Sequence, residues 1–173
     1  MDNELKRSVD YSRKRLQAIR NCESHISDIL WKSTQKVITA SKRYRGAGRL
    51  TNESALLSYA KNITAEAEES INSYISAYSK ASCKILGIDS ENIESFLVSD
   101  IYGKTTSERN AVYLGNFAED IVRMIKAGTL MGYSDQQLLS SIRTGYKDPY
   151  HTSVITKARL GIGDFVELKD KKE

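Results

Sequence analysis

Residues 56–85 read LLSYAKNITAEAEESINSYISAYSKASCKI, and this stretch decides the fold. Leu56, Ala60, Ile63, Ala67, Ile71, Tyr74, Tyr78, Ser82 and Ile85 recur in steps of four and three, the repeat of a single face of an α-helix. Glu66, Glu68 and Glu69 fall largely off that face. Thr51 or Asn52 is placed to cap the start, and Gly87 supplies the stop. The spacing predicts one helix of about 35 residues, about 50 Å long.

Working outward, residues from Asp2 to Tyr44 contain neither glycine nor proline. Leu5, Val9, Leu16, Ile19, Cys22, Ile26, Ile29, Leu30, Val37 and Ile38 again follow helical spacing. The segment reads as one long helix, or two with a break that the spacing does not locate, and Gly46-Ala47-Gly48 is expected to end it. The first two segments therefore read as a long antiparallel hairpin joined by a loop at 46–52. Shorter helices follow. One is expected from Asp89 or Ser90, with Ile93, Phe96, Leu97 and Ile101 on one face and Gly103 as its end. Thr105-Thr106-Ser107-Glu108 has the form of a capping box, opening a helix through Val112, Leu114, Phe117, Ile121, Val122, Met124 and Ile125 that stops near Gly128. Ser134-Asp135-Gln136-Gln137 is a second box, leading through Leu138, Leu139 and Ile142 to Gly145. Asp148-Pro149 starts a last helix over Tyr150 to Leu160, ahead of a frayed lysine-rich end. The fold class is all-α: a long helical hairpin over 1–87, then a compact cluster of shorter helices over 88–173.

Composition supports that class. One proline and ten glycines in 173 residues are too few for the many tight turns of a sandwich or barrel. No apolar run is long enough to cross a membrane, and the polar start at Met1–Arg7 lacks the apolar core of a secretory signal, so no membrane anchor is expected. The net charge of +4 is unevenly distributed: residues 1–50 carry +7, residues 51–100 carry −5 and residues 101–173 carry +2. A basic first helix is thus followed by an acidic second one, and the two either pair with each other or meet different partners.

Catalytic chemistry finds little footing. With only His25 and His151, no Ser–His–Asp set can be assembled, and the adjacent carboxylates Glu119 and Asp120 diverge on a helix. Cys22-x-x-His25 has metal-ligand types, but Cys83 and His151 are isolated and distant. No metal, cofactor or catalytic residue is expected. The loop Arg45-Gly46-Ala47-Gly48-Arg49 lacks the Lys-Ser/Thr and the strand of a phosphate-binding loop, and its plain role is to turn the chain. Cations are the stronger signal. Arg13, Lys14 and Arg15, with Lys42, Arg43, Arg45 and Arg49, are candidate nucleic-acid contacts. Against this, 13–15 point to different sides of a helix, and pairing with the 66–69 glutamates is the blander alternative. Tyr59, Ile63, Tyr74 and Tyr78 on the second helix are candidate partner-binding residues.

One segment resembles a known family. Gly103-Lys104-Thr105-Thr106-Ser107-Glu108-Arg109 precedes an amphipathic helix that ends Ile125-Lys126-Ala127-Gly128-Thr129-Leu130-Met131-Gly132-Tyr133-Ser134, and Gln136-Gln137-Leu138-Leu139 opens the next. This resembles the helical N-terminal part of the Mu F-like minor head proteins of tailed phages, with Gly103, Ser107, Glu108, Arg109, Gly128, Gly132 and Ser134 carrying the likeness. It covers about a quarter of the chain; Asn110 stands where the family often has a bulky apolar residue. The resemblance implies a virion component, made in the host cytoplasm, whose partners are the portal or other head proteins and double-stranded DNA. The alternatives are a stand-alone nucleic-acid-binding protein and a cytosolic adaptor that forms a homo-oligomer through residues 51–86.

Overall fold

The computed structural model describes residues 3–87 and 103–144, with Val98, Val154, Ile155 and Ala158. The helices expected over 89–102 and 150–160 lie almost entirely outside those residues. Among the described residues the architecture is all-α. Helix α1 spans Asn3–Ser41, α2 spans Glu53–Leu86, α3 spans Thr106–Leu130 and α4 spans Asp135–Thr144. At 39 residues α1 is about 58 Å long.

The connection between α1 and α2 differs from expectation. α1 ends at Ser41, ahead of the glycines, and a 3-10 turn follows at Lys42–Tyr44. Two short strands then pair, β1 (Arg45–Gly46) with β2 (Arg49–Leu50), Arg45 opposite Leu50. Ala47 and Gly48 both have positive φ, 49° and 72°, the conformation that closes a two-residue hairpin with the twist its strands need. The glycine therefore serves a β-turn and not a helix stop. Asn52 caps α2 by accepting from the Ala55 N–H at 3.0 Å, and Gly87 ends α2 at φ 69°.

α2 lies between α1 and α3, running antiparallel to both. Lys36 Nζ is 3.9 Å from Glu66, and the His25 ring stacks on Tyr74 with centroids 4.5 Å apart. On the other side Lys61 meets Glu119 and Lys126 meets Glu53. α3 begins level with Glu68 and Asn72 and goes no further along α2. α4 folds back onto α1 and α3.

One apolar cluster runs through all four helices. It joins Ile26, Leu30, Val37 and Ile38 of α1 with Leu56, Ala60, Ile63, Ala67, Ile71 and Ile75 of α2. Leu114, Phe117, Ile121, Val122 and Ile125 of α3 and Leu138 and Ile142 of α4 complete it. The expected segments 1–87 and 88–173 thus share a core. Burial of this kind is the main source of stability in the bundle. Leu5, Val9 and Leu16, which share the helical spacing of the buried residues of α1, are 53%, 58% and 55% exposed. The physical reason is that α3 covers only the far part of the hairpin.

The α3–α4 corner is tightly built. α3 runs on past Gly128 to Leu130. The Tyr133 N–H then donates to the Gly128 carbonyl at 2.8 Å and the Gly132 N–H to the Thr129 carbonyl at 3.1 Å, closing the helix with Gly132 left-handed at φ 72°. A Cβ on Gly128 would sit 2.4 Å from the Leu138 side chain, so glycine lets α4 approach α3. Ser134 and Gln137 then cap α4 reciprocally, at 2.8 and 3.3 Å.

Candidate nucleic-acid and partner interfaces

The basic residues do not form one patch. Arg13–Arg15 and Lys42 lie on the same rod nearly thirty residues apart, about 40 Å at 1.5 Å per residue. At the loop end, two of the candidate cations are committed internally. Arg45, half-buried, donates to Asp135, and Lys42 Nζ lies 2.9 Å from the other carboxylate oxygen. Desolvation pushes the Asp135 carboxyl up, but the Arg45 and Lys42 contacts outweigh it and hold the group below the ordinary aspartate range. This clamp ties the hairpin loop to the first turn of α4. Lys42 and Arg45, candidates from sequence for nucleic-acid contact, thus each also hold an ion pair within the fold, Arg45 largely buried and Lys42 with its side chain still 62% exposed.

Arg43 and Arg49 remain exposed. Arg43 lies in a groove of about 560 Å³ that Lys32, Lys36, Tyr44 and Tyr59 also line. Lys32, Lys36, Thr39 and Arg43 are separated by four, three and four residues, so they follow one face of the chain. Sequence reasoning missed Lys32 and Lys36 because it looked for runs of cations. The periodicity that found the apolar stripe would have found them. Three cations with two tyrosines suit phosphate contact and base stacking.

The candidate partner residues on α2 are scattered in role. Ile63 is buried in the core and is not available to a partner. Tyr59 lines the basic groove, Tyr74 is stacked on His25, and Tyr78 is half-buried. Cys22 packs against the core, where burial, reinforced by Glu23, pushes its thiol up to about 11. Cys22 and Cys83 are both free thiols.

The residues that carry the family resemblance have local work. Thr105 Oγ1 accepts from the Glu108 N–H at 3.2 Å while the Glu108 carboxylate accepts from the Thr105 N–H at 2.7 Å. The Thr105 N–H first, and then the Thr105 hydroxyl donating to the same carboxylate at 3.0 Å, hold the exposed Glu108 carboxyl below its usual value. Gly103 turns the chain at φ 78°, and Arg109 Nε donates to the Lys104 carbonyl. Ser107 donates to Glu68 at 2.6 Å, and the buried Asn110 donates to Asn72 at 2.6 Å, which anchors the start of α3 on α2. An amide at 110 is thus satisfied by a second amide across the interface.

Leu5, Val9 and Leu16 form a bare apolar row on α1. Beside the last turn of α2, a second groove of about 670 Å³ is lined by Arg7, Asp10, Tyr11 and Lys14 facing Ala81, Lys84 and Ile85. No group of three or more metal-ligating side chains occurs among the described residues, and none of their helices is long and apolar enough to cross a membrane. Comparison with family models, curated proteins and solved structures yields no match to the chain.

Proposed function

We propose that this chain is a structural minor head protein of a tailed-phage particle, docked at the portal or head interior through α1, with its loop end turned toward packaged DNA. The observation that carries the docking role is the apolar row on the first half of α1, which the bundle leaves uncovered. Exposed apolar rows on a long helix mark a surface that meets another protein. The phage assignment draws on the resemblance over 103–142. The groove of Lys32, Lys36 and Arg43 supports the DNA contact. Mass spectrometry of density-purified particles tests the reading: a few to a few tens of copies per particle are expected. Absence from clean particles despite abundance in the lysate would remove the head-protein assignment.

The same groove favours a second reading, a stand-alone nucleic-acid-binding protein. Each lost phosphate contact lowers the slope of log affinity against log salt by about 0.9. The triple change Lys32→Glu, Lys36→Glu and Arg43→Glu should therefore lower the slope by about 2–3, while Arg13→Glu leaves it unchanged.

A further inference from the structure

The exposed row on α1 continues a buried one. Leu5, Val9, Ser12, Leu16, Ile19, Glu23, Ile26, Leu30, Ser33 and Val37 alternate in steps of four and three, the seam of a helix that packs on another helix throughout its length. From Ile26 onward the apolar members of that seam are buried in the shared core. Before it Leu5, Val9 and Leu16 are bare and Ile19 is half-buried, because α3 starts only at the level of Asn72. Among the described residues, the third helix of the bundle is absent over the first half of α1.

The flank of the seam says what fits there. Lys6, Arg13 and Arg20 follow one another at intervals of seven, beside Leu5, Val9 and Leu16. All three are exposed, and none makes an ion pair among the described residues. Residues flanking an apolar seam select the partner by charge. A second copy of this chain would bring Lys6, Arg13 and Arg20 against the same cations. An acidic flank would be attracted.

We propose that residues 5–20 of α1 are the docking site for an amphipathic helix of another protein, with apolar residues at heptad spacing and Asp or Glu along its flanks. This deepens the docking role proposed above and does not depend on the phage assignment. The occupant completes the third-helix position and extends the core toward the N-terminus.

Two synthetic three-heptad peptides test the proposal against the full chain by fluorescence anisotropy at 0.15 M salt. Both carry Leu at the seam; one has Glu at the flanks and the other Lys. The Glu peptide should bind and the Lys peptide should not. The triple variant Leu5→Ser, Val9→Ser and Leu16→Ser should lose at least about tenfold in affinity while keeping its helical circular dichroism. The variant Arg13→Glu with Arg20→Glu should shift the preference to the Lys peptide. The proposal is overturned by failure of the Glu peptide to bind, or by equal binding to the serine variant, which would make the contact purely electrostatic elsewhere. It is also overturned if sedimentation shows a dimer that the serine variant abolishes, which would make the occupant a second copy. Binding of anionic phosphatidylserine vesicles without binding of the Glu peptide would replace the partner helix with a membrane surface.

Discussion

The two halves of α1 belong to one uninterrupted helix with one apolar repeat, yet they sit in opposite surroundings. Leu30, Val37 and Ile38 are packed beneath α2, α3 and α4, whereas Leu5, Val9 and Leu16 meet solvent. Their side chains are of the same kind and their spacing is continuous. What differs is the reach of α3, which stops where Ser107 and Asn110 fasten it to Glu68 and Asn72. An apolar repeat therefore declares that a face is to be covered; it does not say whether this chain does the covering.

The largest expected effect tests that contrast on one residue type. Leu30→Ala should cost about 2–5 kcal/mol in urea unfolding, the range for emptying a packed leucine site. Leu16→Ala should cost less than about 0.5 kcal/mol, as at ordinary surface positions. Equal costs would break the comparison, because the first half of α1 would then be covered in solution. Next, Asn110→Ala should cost about 1–3 kcal/mol, since it removes a buried hydrogen bond at the point that sets the edge of the covered region. Native-state hydrogen exchange should then show weaker protection at the start of α3, with α1 before residue 20 unchanged.

A third effect depends on pH. The Asp135 carboxyl is held below its ordinary value in the folded state, so its contribution is fully present above the unfolded value of about 4 and is lost as pH falls through the folded value. Asp135→Asn should cost on the order of 1–2 kcal/mol at pH 7, and the gap to the parent chain should close below about pH 4. A gap that persists unchanged at pH 2 would show that charge at Asp135 contributes nothing. A further effect is at the cap: Thr105→Ala should cost about 1 kcal/mol, measured by thermal unfolding.

Much of the fold was legible in sequence because its signals are local. Asn52, Gly87, the Thr105–Glu108 box and the Ser134–Gln137 box all act within one turn of where they stand. The α2 stripe was read correctly through Leu56, Ala60, Ile63, Ala67 and Ile71, then drifted: Ile75 is buried where Tyr74 was expected. Steps of three and four in this order keep phase with the helix, so period alone does not choose between Tyr74 and Ile75 after Ile71; Tyr74 instead stacks on His25. The interface was less legible. Arg45 and Asp135 are ninety positions apart, and nothing local reveals that they meet. Lys32 and Lys36 were readable from period alone. That Leu5, Val9 and Leu16 stay bare was not, since it depends on where another helix ends.

The absence of any break in α1 has a mechanical meaning. No glycine or proline interrupts the rod between the bare half and the packed half, so the two are locked in rotation as well as in distance. One residue inserted near Asn21 would turn everything before it by about 100° and move it by about 1.5 Å. The shared core beyond Ile26 would keep its place, while Tyr11 and Lys14 would turn away from Ala81 and Ile85 at the end of α2. The direction in which this molecule points its outer face is therefore stored as a phase, counted in residues from the core, and a single-codon insertion is enough to re-aim it.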